Sequence, residues 1–214
     1  MIFANRMDAG RKLARRLLEL QLKRPVVLAL PRGGVPVAFE VARALDAPLG
    51  LVLVRKIGVP LQEEYALGAI ADGDTPELVI DEEIRQRLGI SEDYVAQAKA
   101  EARREIDRRR HVYLGNRAPV EIAGRTAIIV DDGIATGATV RAALRAVRRQ
   151  KPARLVMAVP VAPPDTLRRL AAEVDDTVCL YEPVYFAAVG QFYQDFAQTH
   201  DDEVIRLLAE ADKI

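Results

Sequence analysis

Apolar and polar positions run along this chain in two rhythms, and the changes between them mark out its elements. From Met7 to about Leu22 the residues Leu13, Ala14, Leu17 and Leu20 recur at helical spacing, with lysines and arginines on the other side, which predicts an amphipathic helix. Val26 to Leu30 is a short continuous apolar run, the pattern of a strand covered on both faces, and it breaks at Pro31-Arg32-Gly33-Gly34. Helical periodicity from Val35 to Leu45 and a second β-rich run from Leu49 to Val54 complete a parallel strand-helix-strand unit. Between Ala66 and Ile80 two apolar stretches flank the turn residues Asp72-Gly73-Asp74-Thr75-Pro76, predicting an antiparallel excursion.

Asp81 to Arg110 turns polar and helical, and is expected to form one short and one long helix. Ser91 is the N-cap of the long one, with Glu92 and Asp93 facing the positive end of its dipole. The alternation then resumes as strand 127–130, helix 137–150, strand 155–159, helix 165–174 and strand 177–180, and a last helix is predicted over 201–211. Repeated β-α alternation calls for an α/β fold, a parallel sheet with helices on both faces. The 214 residues fit one domain, 1–214, with 76–115 as a helical insertion and 182–214 as a C-terminal hood.

Composition narrows the function. Hydrophobic residues make up 50% of the chain, enough for a real core. Thirty-one basic residues balance thirty-one acidic ones, which disfavours a surface built to trap nucleic acid or anionic lipid. The single Cys179 excludes an internal disulfide and multi-cysteine metal sites, and suits a reducing cytoplasm. No apolar run approaches the roughly 18 residues of a membrane helix, and the opening residues lack the apolar core of a secretory signal. A cytoplasmic location is therefore expected.

The segment richest in chemistry is Ala127-Ile128-Ile129-Val130-Asp131-Asp132-Gly133-Ile134-Ala135-Thr136-Gly137-Ala138-Thr139: strand, acidic pair, small-residue loop, helix start. In an open parallel sheet ligands bind at the carboxyl ends of strands, where this loop falls. Its small residues let backbone amides close around an anion at a helix N-terminus, and Thr136 and Thr139 add hydroxyls. Two carboxylates beside a phosphate should face something else, such as ribose hydroxyls or developing positive charge. A sugar phosphate satisfies both halves. No lysine follows the second glycine as in a Walker A loop, and the G-x-G-x-x-G spacing is absent, so ATP hydrolysis and dinucleotide binding lose support.

These thirteen positions resemble the phosphoribosyl pyrophosphate signature of type I phosphoribosyltransferases. The resemblance implies that Asp131 and Asp132 hold the ribose hydroxyls and, with them, Mg²⁺, while Gly133, Ile134, Ala135, Thr136, Gly137, Ala138 and Thr139 cradle the 5′-phosphate. It further implies that Pro31-Arg32-Gly33-Gly34 is the pyrophosphate loop, which in this family often contains a non-proline cis peptide. Lys56, placed at the end of the second strand, is the expected second cation for the pyrophosphate, and Ile57 to Glu64 is a candidate mobile loop. Asn5 to Gly10, Glu64 to Ala71 and Pro183 to Phe196 are similar to a bacterial subgroup of phosphoribosyltransferase-domain proteins without a defined substrate.

The implied reaction is a pentosyl transfer of nucleotide metabolism: pyrophosphate leaves C1 of the ribose and a nitrogenous base attacks. Charge on the sugar ring makes preorganised electrostatics the main catalytic resource, with Asp131, Asp132, Lys56 and Arg32 as the acting side chains and Mg²⁺ as the cofactor. Members that use 6-oxopurines carry an Asp in mid-loop where this sequence has Ala135, which disfavours hypoxanthine or guanine. Phe186, Phe192 and Tyr193 are either a base-stacking platform or ordinary packing. His111 and His200 are expected at the surface, Cys179 in the core, and Arg103 to Arg110 on a solvated helix face paired with Glu101, Glu105 and Asp107. Neither nucleic acid nor membrane is an expected partner, and a homodimer is compatible with the resemblance. The alternatives are a ligand-sensing regulatory protein without transferase activity and, more weakly, a phosphoribosyl hydrolase-like enzyme.

Overall fold

The structure is a computed structural model, and it describes residues 2–72, 77–115 and 117–213. A five-stranded parallel sheet forms the centre. Its strands are β1 (Pro25–Ala29), β2 (Leu49–Leu51), β6 (Thr126–Val130), β7 (Arg154–Val161) and β8 (Asp176–Tyr181), in the order β2-β1-β6-β7-β8. The first strand pairs on both sides, Val27 with Leu49 and Val26 with Ala127.

Continuous apolar runs are explained by the two faces of this sheet. Val27, Ala29, Ile128, Val130, Val156 and Ala158 pack with helices α1 (Arg6–Leu18), α2 (Gly34–Leu45) and α7 (Asp201–Ala211). Their neighbours Val26, Leu28, Ala127, Ile129, Leu155 and Met157 pack with α5 (Ala138–Arg149) and α6 (Pro164–Ala171) on the other face. Successive side chains point to opposite faces, so both rows must be apolar.

A second sheet, β3-β4-β5 (Val54–Val59, Gln62–Ala71, Glu77–Ile80), is the predicted antiparallel excursion. The expected turn at Gly73 to Pro76 lies outside the described residues. One face of this sheet offers Ile57, Leu67 and Ile70 to Ala102 and Ile106 of α4 (Glu92–Leu114), and the other offers Val54, Ala69 and Ala71 to the α5 side. The run Leu49 to Val54 is not one strand. Val52 N still donates to Ala29 O at 3.0 Å, but Leu53 O accepts from Asp72 N at 2.8 Å, and there the chain passes to the second sheet. Apolar residues continue through the crossing because both sheets are buried, which hid the break in the sequence.

Other boundaries shift for local reasons. Helix α1 stops at Leu18 rather than near Leu22, and the chain beyond takes left-handed backbone at Gln21 and Arg24. The segment expected to be helical from residue 76 begins with β5, and its helices are α3 (Glu82–Arg87) and α4. Ser91 caps α4 as predicted, its hydroxyl accepting from Tyr94 N at 3.2 Å. Along α4, Glu105 pairs with Arg108 and Arg109, and Arg110 with Asp72 and Asp107, the solvated face expected of this arginine-rich stretch. No described helix is long and apolar enough to cross a membrane.

The C-terminal stretch has two fates. Helix α7 buries Val204, Leu207 and Leu208 in the main core. The preceding irregular segment lies over the carboxyl ends of the strands, with a 3₁₀ turn at Val189–Phe192 and a parallel bridge between Phe3 and Tyr193. Phe3 N donates to Phe192 O and Gln194 N donates to Phe3 O, each at 2.8 Å. Phe3, Ala9, Val161, Phe192 and Tyr193 thereby form a small separate core.

Candidate active site

Asp131 and Asp132 follow directly on β6, at the carboxyl edge of the sheet. Beside them β1 ends in the loop Pro31 to Gly34, where the Pro31–Arg32 peptide is cis, as the resemblance implied. The two loops touch. A Cβ on Gly33 would lie 2.0 Å from Asp132 Oδ2, and one on Gly34 would lie 2.9 Å from Val130 O. Glycine is needed at both positions for close approach, since the backbone of Gly33 is ordinary right-handed helix.

Asp131 Oδ1 accepts from Asp132 N at 2.8 Å. Asp132 Oδ2 accepts from Arg6 Nε at 2.7 Å, and its backbone carbonyl accepts from the Tyr193 hydroxyl at 2.6 Å. Burial pushes the Asp131 carboxyl well above the usual carboxylate range, and the charge of Asp132 adds to this. Burial also raises Asp132, opposed by the Arg6 guanidinium. Two crowded carboxylates against the single Arg6 guanidinium leave the pair formally short of positive charge, and their oxygens are the hard donors that Mg²⁺ takes, one or two at a time with substrate phosphates completing its shell. The acidic pair therefore fits the expected metal, although no cluster of three or more His, Cys, Asp or Glu residues exists among the described residues.

The loop after the pair runs into a helix N-terminus. Gly137 has φ +86°, which a glycine takes without strain, and a Cβ there would meet Thr166 Cγ2 at 2.9 Å. Helix α5 begins at the next residue with no side-chain cap, so its first amides face outward. Ala135 and Thr136 are exposed, and Thr139 is half-buried. Ile134 departs from the expectation that it joins the phosphate cradle: its side chain is in the core and its amide donates to Val161 O at 2.9 Å. Ala135 to Ala138 also line one wall of a cleft of about 670 Å³, opposite Tyr65 and Leu67 of β4, with Arg141 and Arg169 at its side. The acidic pair and residues 31–34 lie outside that cleft.

The expected cations are placed differently from one another. Arg32 Nη1 lies 3.6 Å from Asp201 Oδ1 at the start of α7, and the same oxygen accepts from the Tyr113 hydroxyl at 2.7 Å. Lys56 is not at the end of the second parallel strand. It lies within β3, exposed and in register with Ala69, because the strand was divided. The candidate mobile loop is likewise a hairpin, with Val59 paired to Gln62 and exposed Leu61 at its tip.

Phe192 and Tyr193 are buried in the small core, and Phe186 stacks on Phe192 at 5.4 Å between ring centroids. These aromatics pack against one another, the second of the two readings given for them. Cys179 is half-buried, its thiol donating to Tyr181 O and pushed up to about 11 by burial. His111 and His200 are exposed. Arg6 was given no role from the sequence. The available signal was its place in the first turn of α1, where the helix dipole disfavours a cation.

Comparison with known proteins agrees with this architecture. Two curated proteins of Mycobacterium tuberculosis strains, CDC 1551 / Oshkosh and H37Rv, each named "Putative phosphoribosyl transferase", are 47% identical over 212 residues, 98% of this chain. The chain spans about half the length of these relatives, 47% of each. The crystal structure of the Thermus thermophilus protein TT1426 is 43% identical, covers 98% of this chain and 99% of its own, and superposes with a TM-score of 0.84. The phosphoribosyl transferase domain family matches residues 1–190, the whole of the parallel sheet and both loops of the site, and the chain belongs to that family.

Proposed function

We propose that this chain transfers the phosphoribosyl group of phosphoribosyl pyrophosphate to a nitrogenous base, with release of pyrophosphate. The observation that carries the proposal is the contact between the two loops: the glycine of the cis-peptide loop lies against the second carboxylate of the acidic pair. One ligand can therefore meet both, with its diphosphate at residues 31–34 and its ribose at Asp131 and Asp132. The 5′-phosphate then falls to Thr136, Gly137, Ala138 and Thr139 at the start of α5.

In the reaction the C1–O bond to pyrophosphate breaks and a C1–N bond to the base forms, and the base gives up its N–H proton. Asp131 and Asp132 hold the ribose hydroxyls and place negative charge beneath the ring as positive charge develops on it. Mg²⁺ at the same carboxylates would neutralise the leaving diphosphate. Arg32 and Lys56 are assigned to the departing anion, Arg32 by exchanging its weak contact with Asp201 for phosphate oxygens. No mid-loop carboxylate stands at Ala135 to take a proton from a 6-oxopurine, which favours other acceptors.

The test is pyrophosphate release from phosphoribosyl pyrophosphate and Mg²⁺ with pooled nucleobases, run beside Asp132→Asn. Release that depends on one pool and falls about a hundredfold or more in the variant is the expected result. Binding of phosphoribosyl pyrophosphate without release for any pool refutes transfer to these acceptors and selects the sensor alternative.

A further inference from the structure

Arg6 is the cation joined to the acidic pair among the described residues. Its side chain leaves the first turn of α1 and enters the junction of the two loops. Nε donates to Asp132 Oδ2, and Nη1 donates to Ala197 O, each at 2.7 Å. The guanidinium lies over the Phe196 ring, 3.9 Å from its centroid, and Nε would be 3.3 Å from a Cβ on Gly33. The group thus borders the cis-peptide loop as well as the carboxylates. Among the described residues Nη2 has no hydrogen-bond partner, and the side chain is only 12% exposed.

This placement answers an electrostatic problem. A diphosphate at residues 31–34 would lie beside two carboxylates, and like charges at such range oppose binding. A guanidinium bound to one carboxylate through Nε neutralises it and keeps N–H groups on another edge of the same plane for a second anion. Stacking on Phe196 and the bond to Ala197 fix that plane in advance, so little side-chain entropy is lost when a ligand arrives.

We propose that Arg6 is a ligand-binding residue of this site: while Nε holds Asp132, Nη2 donates to an anionic oxygen of the diphosphate of bound phosphoribosyl pyrophosphate. The proposal rests on the transferase reading for the identity of the ligand.

Calorimetric titration with Mg²⁺ and three probes tests it: phosphoribosyl pyrophosphate, inorganic pyrophosphate and ribose 5-phosphate. Arg6→Gln should weaken the two diphosphate ligands about tenfold or more, as loss of a charge-assisted hydrogen bond does. Ribose 5-phosphate, which has no diphosphate, should weaken several-fold less than the two diphosphate ligands, because it feels only the altered support of Asp132 and loses no bond to Nη2. Arg6→Lys keeps the charge without the planar fork and should fall between wild type and Arg6→Gln on the diphosphate probes only. Equal weakening of all three probes, or unchanged pyrophosphate binding, overturns the proposal and leaves Arg6 as a structural support for Asp132. If Arg6→Gln does not fold, the same comparison in Arg6→Lys decides. Wild-type protein that binds neither diphosphate probe also overturns it. Wild-type protein that binds them without transferring to any base overturns the transferase reading alone, and the loss in Arg6→Gln still tests the assignment of Arg6.

Discussion

Replacing Gly33 with alanine is the smallest change that reports on the contact between the loops. The new Cβ would stand 2.0 Å from Asp132 Oδ2, 2.8 Å from its Cγ and 3.3 Å from Arg6 Nε. At φ −60° the backbone accepts alanine without strain, so the whole effect comes from these contacts. Normal separation requires the carboxylate to retreat by about 1 Å, since a packed site does not compress. It cannot retreat freely, because Arg6 Nε and the Tyr193 hydroxyl hold the residue from two sides. Overpacking of this kind costs about 1–3 kcal/mol of stability. A chain of this size then melts roughly 2–4 °C lower per kcal/mol. Function should suffer more, because displacing a positioning group by about 1 Å costs on the order of a hundredfold in rate. Gly33→Ala is expected to stay folded in a thermal melt while kcat/KM for pyrophosphate release falls by about that factor. A folded variant with wild-type kcat/KM would refute the claim that the position of the Asp132 carboxylate governs turnover.

Two further changes probe the surroundings. Tyr193→Phe removes the 2.6 Å bond to the Asp132 carbonyl but keeps the ring, and should cost about 1 kcal/mol in a denaturant titration; an unchanged midpoint would count against that bond. Glu105 is held down to about 2 by its bond to Arg108, with Arg109 assisting against burial. Its folded value lies below its ordinary 4.5, so its contribution is complete above about 4.5 and is lost as pH falls towards about 2. Glu105→Gln should flatten stability over that acid window, by a small amount because the pair is largely solvated, and an unaltered acid limb would show that the pair contributes nothing.

Much of the fold could be read in advance because its parallel strands and helices carry unambiguous local patterns. Val26 to Leu30, the glycines after it and the segment from Ala127 to Thr139 each fix their own structure within a few residues. What escaped detection depends on contacts between distant segments. Leu49 to Val54 has one hydrophobic pattern but serves two sheets, and only the bond from Asp72 to Leu53 reveals the division. Moving the strand boundary moved Lys56 with it. Arg6 meets Asp132 across most of the chain, and no periodicity encodes that meeting. Ile134 looked like a loop residue among small neighbours, yet its size and its bond to Val161 make it part of the core.

The bridge between Phe3 and Tyr193 also sets when the site comes into being. Parallel strands such as β1 and β6 can pair once residue 130 has been made, but the segment that carries Tyr193, Phe196 and Ala197 arrives much later. Docking it onto Phe3 closes a loop spanning nearly the whole chain, a contact whose entropic cost places it late in folding. A growing chain can thus pair β1 with β6 while Asp132 still lacks the Tyr193 hydroxyl, and Arg6 lacks the Phe196 ring and the Ala197 carbonyl that fix it. Synthesis and folding must both pass this closure before the acidic pair is fully framed, so a chain grown past β8 but short of Tyr193 has the strands of the sheet without the finished site.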